Sequence, residues 1–268
     1  MCDVGMTILQ RPGLFRCADP RGYGGNHPMA DQTAKQSSKP VAIVTGAGSG
    51  IGEATARLLT EKGYRVALVG RTAEKLERVR GDLGDDAVSM PADVGNSIES
   101  RRVVREAIER LGRIDAIVNN AGAAPLTLAA DYDDDLIHHV FGVNTLGPIA
   151  LAAEAIPAML ESGGGVIVNV SSMSSRDPFP GLGVYGAAKA AMNAFSVGIV
   201  NEYGSRGIRS YAVAPGAVHT PMLRSIFPED QLPRDQTLEP MAVAKIIVAC
   251  VTAETEEPNG ATIWVPSP

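Results

Sequence analysis

Tyr185 and Lys189, four residues apart in Tyr-Gly-Ala-Ala-Lys, open a stretch with helical periodicity. That spacing places both side chains on one helix face. An ammonium beside a phenol favours the phenolate, drawing a tyrosine pKa from about 10 toward a range where it can exchange a proton with a bound oxygen. A plainer reading is a tyrosine packed at a helix start with a lysine snorkelling beside it. Upstream, Ser171 and Ser172 close a short apolar run and offer hydroxyls to whatever binds there.

A second chemical feature lies near the start of the apolar pattern. Thr45 to Gly52 read Thr-Gly-Ala-Gly-Ser-Gly-Ile-Gly, directly after an apolar run and before a helical one. Gly46, Gly50 and Gly52 let the chain turn tightly, bring backbone close to a pyrophosphate, and pack the helix start against the strand. The spacing is Thr-Gly-x-x-x-Gly-x-Gly, not the Gly-x-Gly-x-x-Gly of other dinucleotide turns.

The end of the second strand would face an adenosine ribose, where an acidic residue favours NAD. Gly70 stands there and Arg71 follows. A guanidinium can pair with a 2′-phosphate, so NADP is expected, with NAD as the alternative. Arg71 can equally begin a solvated helix with Glu74 and Lys75. Asp93, before Val94, could accept from an adenine amino group or cap the next helix, as Asn96 or Ser97 could.

The elements that must position these residues alternate along the chain. Apolar runs of about five residues occur at 41–45, 65–69, 87–90, 114–119, 166–170, 208–214 and 261–265. Helical patterns separate them at 51–62, 72–83, 96–111, 133–160 (two helices meeting near Asn144), 184–203 and 241–253. Short, almost wholly apolar strands alternating with helices imply a parallel sheet covered on both faces. Right-handed crossovers make it doubly wound, with ligands beyond the carboxyl ends of the strands.

Composition narrows the classes. With 24 Lys plus Arg against 30 Asp plus Glu, the net charge of −6 argues against nucleic acid or an anionic membrane as partner. No unbroken apolar run reaches the ~18–20 residues of a membrane span. Cys2, Cys17 and Cys250 lack metal-ligand spacing, and an odd number of scattered cysteines suits a reducing cytoplasm. His138 and His139 read as an exposed helix face, so no metal site is expected. Residues 1–38 lack sustained periodicity and read as a weakly ordered extension, with residues 39–268 as the folded domain; Met29 is an alternative start.

Taken in order, the glycine turn, Asn119-Asn120-Ala121-Gly122, Asn144 in Phe-Gly-Val-Asn-Thr, Ser171-Ser172, Tyr-Gly-Ala-Ala-Lys and Pro215-Gly216 resemble the short-chain dehydrogenase/reductase family over about residues 40–265. The resemblance implies a Rossmann-type seven-stranded fold and a catalytic set of Asn144, Ser172, Tyr185 and Lys189. Tyr185 would move the proton of the substrate oxygen. Lys189 would lower its pKa and hold the nicotinamide ribose, and Ser172 would bond the substrate oxygen. Asn144 would hold a helix distortion and a relay water. The family's serine usually stands thirteen residues before the tyrosine, which selects Ser172.

Cofactor contacts are expected from Gly46, Ser49, Gly50, Ile51, Gly52, Arg71, Asp93, Val94, Asn120, Ala121, Gly122, Tyr185, Lys189, Pro215, Gly216, Val218 and Thr220. Two departures stand out: Ser49 replaces the basic residue many NADP-preferring members carry in the turn, and no Gly-Gly follows the last strand. The implied activity is hydride transfer between NADP(H) and a secondary alcohol or ketone, in a homodimer or homotetramer. The alternatives are a non-catalytic NADP-binding module, or an isomerase or dehydratase using transient hydride transfer. Met222, Leu223, Ile226 and Phe227 are candidates for the substrate wall.

Overall fold

A computed structural model describes residues 39–268; the expected extension over 1–38, with Cys2 and Cys17, lies outside the described residues. Strands form at Val41–Thr45 (β1), Arg65–Gly70 (β2), Ala87–Pro91 (β3), Ala116–Asn119 (β4), Gly165–Val170 (β5), Ile208–Pro215 (β6) and Thr262–Val265 (β7). Every pairing is parallel, in the order β3-β2-β1-β4-β5-β6-β7. The expected seven-stranded, doubly wound sheet is therefore present.

The helices are Gly50–Glu61 (α1), Ala73–Leu83 (α2), Ser97–Leu111 (α3), Asp134–Phe141 (α4), Gly147–Glu161 (α5), Gly183–Tyr203 (α6), Pro221–Ile226 (α7) and Pro240–Thr252 (α8). The strands are apolar at most positions because each face has its own core. Ala42 and Val44 point into a cluster with Leu59, Val79 and Ile247, from α1, α2 and α8. Val41 and Ile43 point the other way, among Val103, Leu151 and Ile199 from α3, α5 and α6. Successive strand side chains alternate between faces, so two helix layers demand an unbroken apolar run.

Three details differ from the sequence reading. The fourth strand begins at Ala116, two residues later than read; just before it, the Asp115 Oδ2 accepts from Val41 N at 2.8 Å, and Arg113 donates to it. A helix, α7, forms between 214 and 241, where no helical pattern was read, with Pro221 in its first turn and Thr220 accepting from Leu223 N. The helical run Asp134–Glu161 is long and apolar enough to cross a membrane. It is a core helix here, since Leu151, Ala152, Ala155 and Met159 are fully buried against the sheet.

Strand order reverses between β1 and β4, whose outward connections go to opposite sides. Diverging loops at such a point leave a crevice at the carboxyl ends of the strands.

Candidate active site

A cleft of about 640 Å³ opens at that point. It gathers the residues expected from sequence to form the site, with two exceptions: Gly52 and Asn144 stand behind its wall.

The glycine turn forms one end. Gly46 and Gly50 have φ of +67° and +57°, left-handed values that side chains rarely adopt. A Cβ on Gly52 would land on the Gly46 carbonyl oxygen and within 2.5 Å of Asn120 Nδ2, so this glycine serves close packing. Thr45 clamps the turn to the neighbouring strand: its Oγ1 accepts from Asn120 N at 2.9 Å and Ala121 N at 3.0 Å. Asn120 returns a bond from Nδ2 to Thr45 O at 2.8 Å.

Ser49, the N-cap of α1, makes no side-chain capping bond. First-turn N–H groups of a long helix, over a glycine cradle, suit a pyrophosphate. Arg78 braces the turn from α2, donating to Gly48 O at 3.2 Å and to Glu53 Oε2 at 2.6 Å. Arg78, then Arg57, holds the Glu53 carboxyl below its usual pKa. Neither Thr45's clamp nor Arg78 was singled out from sequence, because both depend on which strands and helices become neighbours.

Beyond the ends of β2 and β3, which pair up to Gly70 and Pro91, Gly70, Arg71, Asp93 and Val94 line the cleft. Arg71 is exposed. Asp93 caps no helix: its Oδ1 accepts from Gly95 N, and α3 is capped by Asn96, which accepts from Ile98 N.

At the opposite end, Tyr185 and Lys189 project from the first turns of α6. Burial pushes the Tyr185 phenol up to about 12, outweighing the nearby Ser172 hydroxyl just past β5, which draws it down. Sequence reasoning expected the lysine to draw it down. Here the Lys189 Nζ donates to Val170 O at 2.6 Å and lies 5.7 Å from the tyrosine ring centroid. Burial also lowers Lys189 to about 8.

The neighbouring serines are committed elsewhere. Ser171 Oγ donates to Lys189 O and Ser175 Oγ to Ser172 O. Asn144 sits in a π-helical turn, Gly142–Leu146, that joins α4 to α5. Its Nδ2 donates to Val140 O and Ala123 O, both at 2.8 Å, and its Oδ1 accepts from Ala123 N. The distortion expected from the resemblance is present. The side chain itself braces the wall from behind and does not line the cleft.

Beyond the tyrosine the wall is apolar, with Met222, Leu223, Ile226 and Phe227 joined by Phe179 and Leu182. His139 also reaches the cleft, though His138 and His139 both lie on the exposed face expected. In place of a Gly-Gly, Ser267 laces the last residues onto the floor: its Oγ accepts from Ala217 N at 2.7 Å. Among the described residues, no three His, Cys, Asp or Glu side chains cluster as metal ligands.

Comparison with known proteins agrees with this geometry. An uncharacterized oxidoreductase of Staphylococcus aureus (strain USA300) is 35% identical over 213 residues, covering 79% of this chain and 90% of its own. A similar one from Staphylococcus epidermidis is 34% identical over 182 residues, 68% of this chain and 79% of its own. The crystal structure of a 3-ketoacyl-(acyl-carrier-protein) reductase from Brucella melitensis, complexed with NADH, superposes with a TM-score of 0.79 at 30% identity. It covers 85% of this chain and 96% of that one. A 3-ketoacyl-ACP reductase from Sinorhizobium meliloti 1021 gives 0.76 at 31%, covering 85% and 97%. A family model described as short chain dehydrogenase matches residues 40–231, and the chain is an oxidoreductase of that family.

Proposed function

We propose that this oxidoreductase transfers a hydride between NADP(H) and a secondary alcohol or ketone, with Tyr185 as the general acid and base. The observation that carries this reading is the meeting of Tyr185, Ser172 and Lys189 in one cleft whose far end is the glycine turn. A bound dihydronicotinamide would supply the hydride; the chain supplies position and the proton. Ser172 and Tyr185 would hold the carbonyl oxygen, and the Tyr185 hydroxyl would protonate it as the carbon is reduced. Lys189 would hold the ribose hydroxyls, its charge favouring the phenolate left behind. The turn and the start of α1 would hold the pyrophosphate. Asn120–Gly122 and Pro215–Thr220 would flank the nicotinamide, with Asn144 keeping Ala123 and the α4–α5 junction in place. A panel of ketones and alcohols with NADPH and NADH tests the proposal by cofactor absorbance; no turnover with any pair would sink it.

The tyrosine's pKa gives the reaction a direction. With the phenol pushed up to about 12, the protonated form that reduction consumes is in full supply around neutrality. The phenolate that oxidation needs grows as pH rises. Ketone reduction should therefore be flat between about pH 6 and 8, and alcohol oxidation should rise about tenfold per unit over that span. Initial rates in both directions check this. Oxidation that slowed as pH rose would contradict it.

The choice of NADP rests on Gly70-Arg71, with no carboxylate at the end of β2 to repel a 2′-phosphate. Arg71→Ala should weaken NADPH by ~1–3 kcal/mol and NADH hardly at all. Equal wild-type affinities by titration would overturn the preference.

Assembly into a homodimer or homotetramer is also proposed. Leu146, beside α5, and Val197, on α6, are 54% and 45% exposed on helices already apolar toward the sheet. Light scattering should show a multiple of 28.0 kDa; monomer alone at micromolar concentration would refute it.

A further inference from the structure

The apolar end of the cleft holds an observation that the reductase reading leaves unused. Phe179, from the segment after β5, meets Phe227, at the end of α7, edge to face with ring centroids 5.3 Å apart. Among the described residues lining this end, beyond the catalytic set, the charged side chain is Asp177. The arginines nearest in sequence do not reach in. Arg224 donates to Leu232 O at 2.6 Å and Phe227 O at 3.3 Å, and Arg176 lies over the Trp264 ring at 4.6 Å. An anionic substrate would lose its hydration here and meet a carboxylate instead of a cation.

Resting on the reductase reading, we infer that the substrate is an uncharged carbonyl compound whose bulky apolar body packs against Phe179 and Phe227. Carbonyl compounds bearing carboxylate or phosphate on that body are poor substrates. Acetophenone and 4-acetylbenzoate, which differ by one carboxylate, make the test with NADPH and with NADH. The neutral ketone should show kcat/KM at least ~100-fold higher. Phe179→Ala should raise its KM more than it lowers kcat. Equal or faster reduction of 4-acetylbenzoate overturns the inference. So does turnover of neither ketone while NADPH still binds, an outcome that leaves the cofactor reading standing; loss of cofactor binding altogether would bring down both.

A separate observation concerns the start of α6. Its N-cap, Leu182, has no polar side chain, and the Val184 N–H donates to Tyr132 Oη at 3.0 Å instead. A Cβ on Gly183 would come within 2.9 Å of that same oxygen, so the glycine leaves room for the phenol. Tyr132 directly precedes Asp133, the cap of α4, whose continuation carries Asn144. Its ring packs against the cluster of Val140, Val184 and Ala188, as Tyr185 also does.

We propose that Tyr132 is a positioning residue, capping from outside the helix turn that presents Tyr185. Tyr132→Phe deletes one oxygen and keeps the ring. It should lower kcat about tenfold, with KM and NADPH affinity nearly unchanged and the pH profile of oxidation displaced. Gly183→Ala, which presses on the same oxygen, should reproduce the loss, and the double variant should add little. An unchanged kcat and pH profile in Tyr132→Phe overturns the proposal, as does a loss that tracks a fall in thermal stability and cofactor affinity.

Discussion

Tyr185→Phe should lower turnover by at least ~10²-fold, the scale of general acid catalysis, with NADPH binding nearly intact. The ring stays packed against Val140, Val184 and Ala188, so the substitution removes chemistry and spares the fold. What disappears is the hydroxyl near Ser172, the group proposed to protonate a reduced carbonyl oxygen. Ser172→Ala should cost turnover as well. Ser171→Ala should cost far less, since that hydroxyl is buried and spent on Lys189 O. Lys189→Ala should harm binding and turnover together. If Tyr185→Phe reduced a proven substrate at the wild-type rate, the tyrosine's role would fall.

Gly52→Ala should nearly abolish dinucleotide binding, although Gly52 touches no part of the cleft. One methyl group would occupy the place of the Gly46 carbonyl oxygen and crowd Asn120 Nδ2. Neither neighbour can yield cheaply: one is backbone, and the other donates to Thr45 O. The turn would have to open, costing ~1–3 kcal/mol of stability from overpacking and lowering affinity for NADPH at least ~30-fold as its N–H groups move out of line. Gly81→Ala is the control. It lies in α2 with nothing within 4 Å of an added Cβ, so it should be neutral or stabilise by ~0.5–1 kcal/mol. Calorimetry on both variants separates stability from binding. Wild-type NADPH affinity in Gly52→Ala would show that the turn does not hold the cofactor.

Much of this was legible in the sequence because local pattern and global need coincide. A strand covered on both faces must be apolar throughout, so runs such as residues 41–45 announced themselves. The glycine turn and the Tyr-Gly-Ala-Ala-Lys segment each lie within one short stretch of chain, so spacing was enough to find them. What escaped depends on partners distant in sequence. Asp115, just before the fourth strand, binds Val41 with its carboxylate, and Tyr132 caps a helix fifty-two residues away. The pKa of Tyr185 escaped for a related reason: spacing supplied the ammonium, but not the Val170 carbonyl that engages it nor the burial that raises the phenol. Asn144 was found by its motif, yet only the three-dimensional arrangement places it behind the wall.

Hydride transfer itself can be followed with an isotope. The protein would be incubated with cofactor carrying deuterium at both C4 positions of the dihydronicotinamide and an uncharged ketone, and the alcohol analysed by mass spectrometry. One deuterium should appear on the carbinol carbon, at a rate that collapses in Tyr185→Phe. Ketone recovered unchanged across an uncharged panel, with the labelled cofactor demonstrably bound, would contradict it and leave a dinucleotide-binding protein without this catalysis.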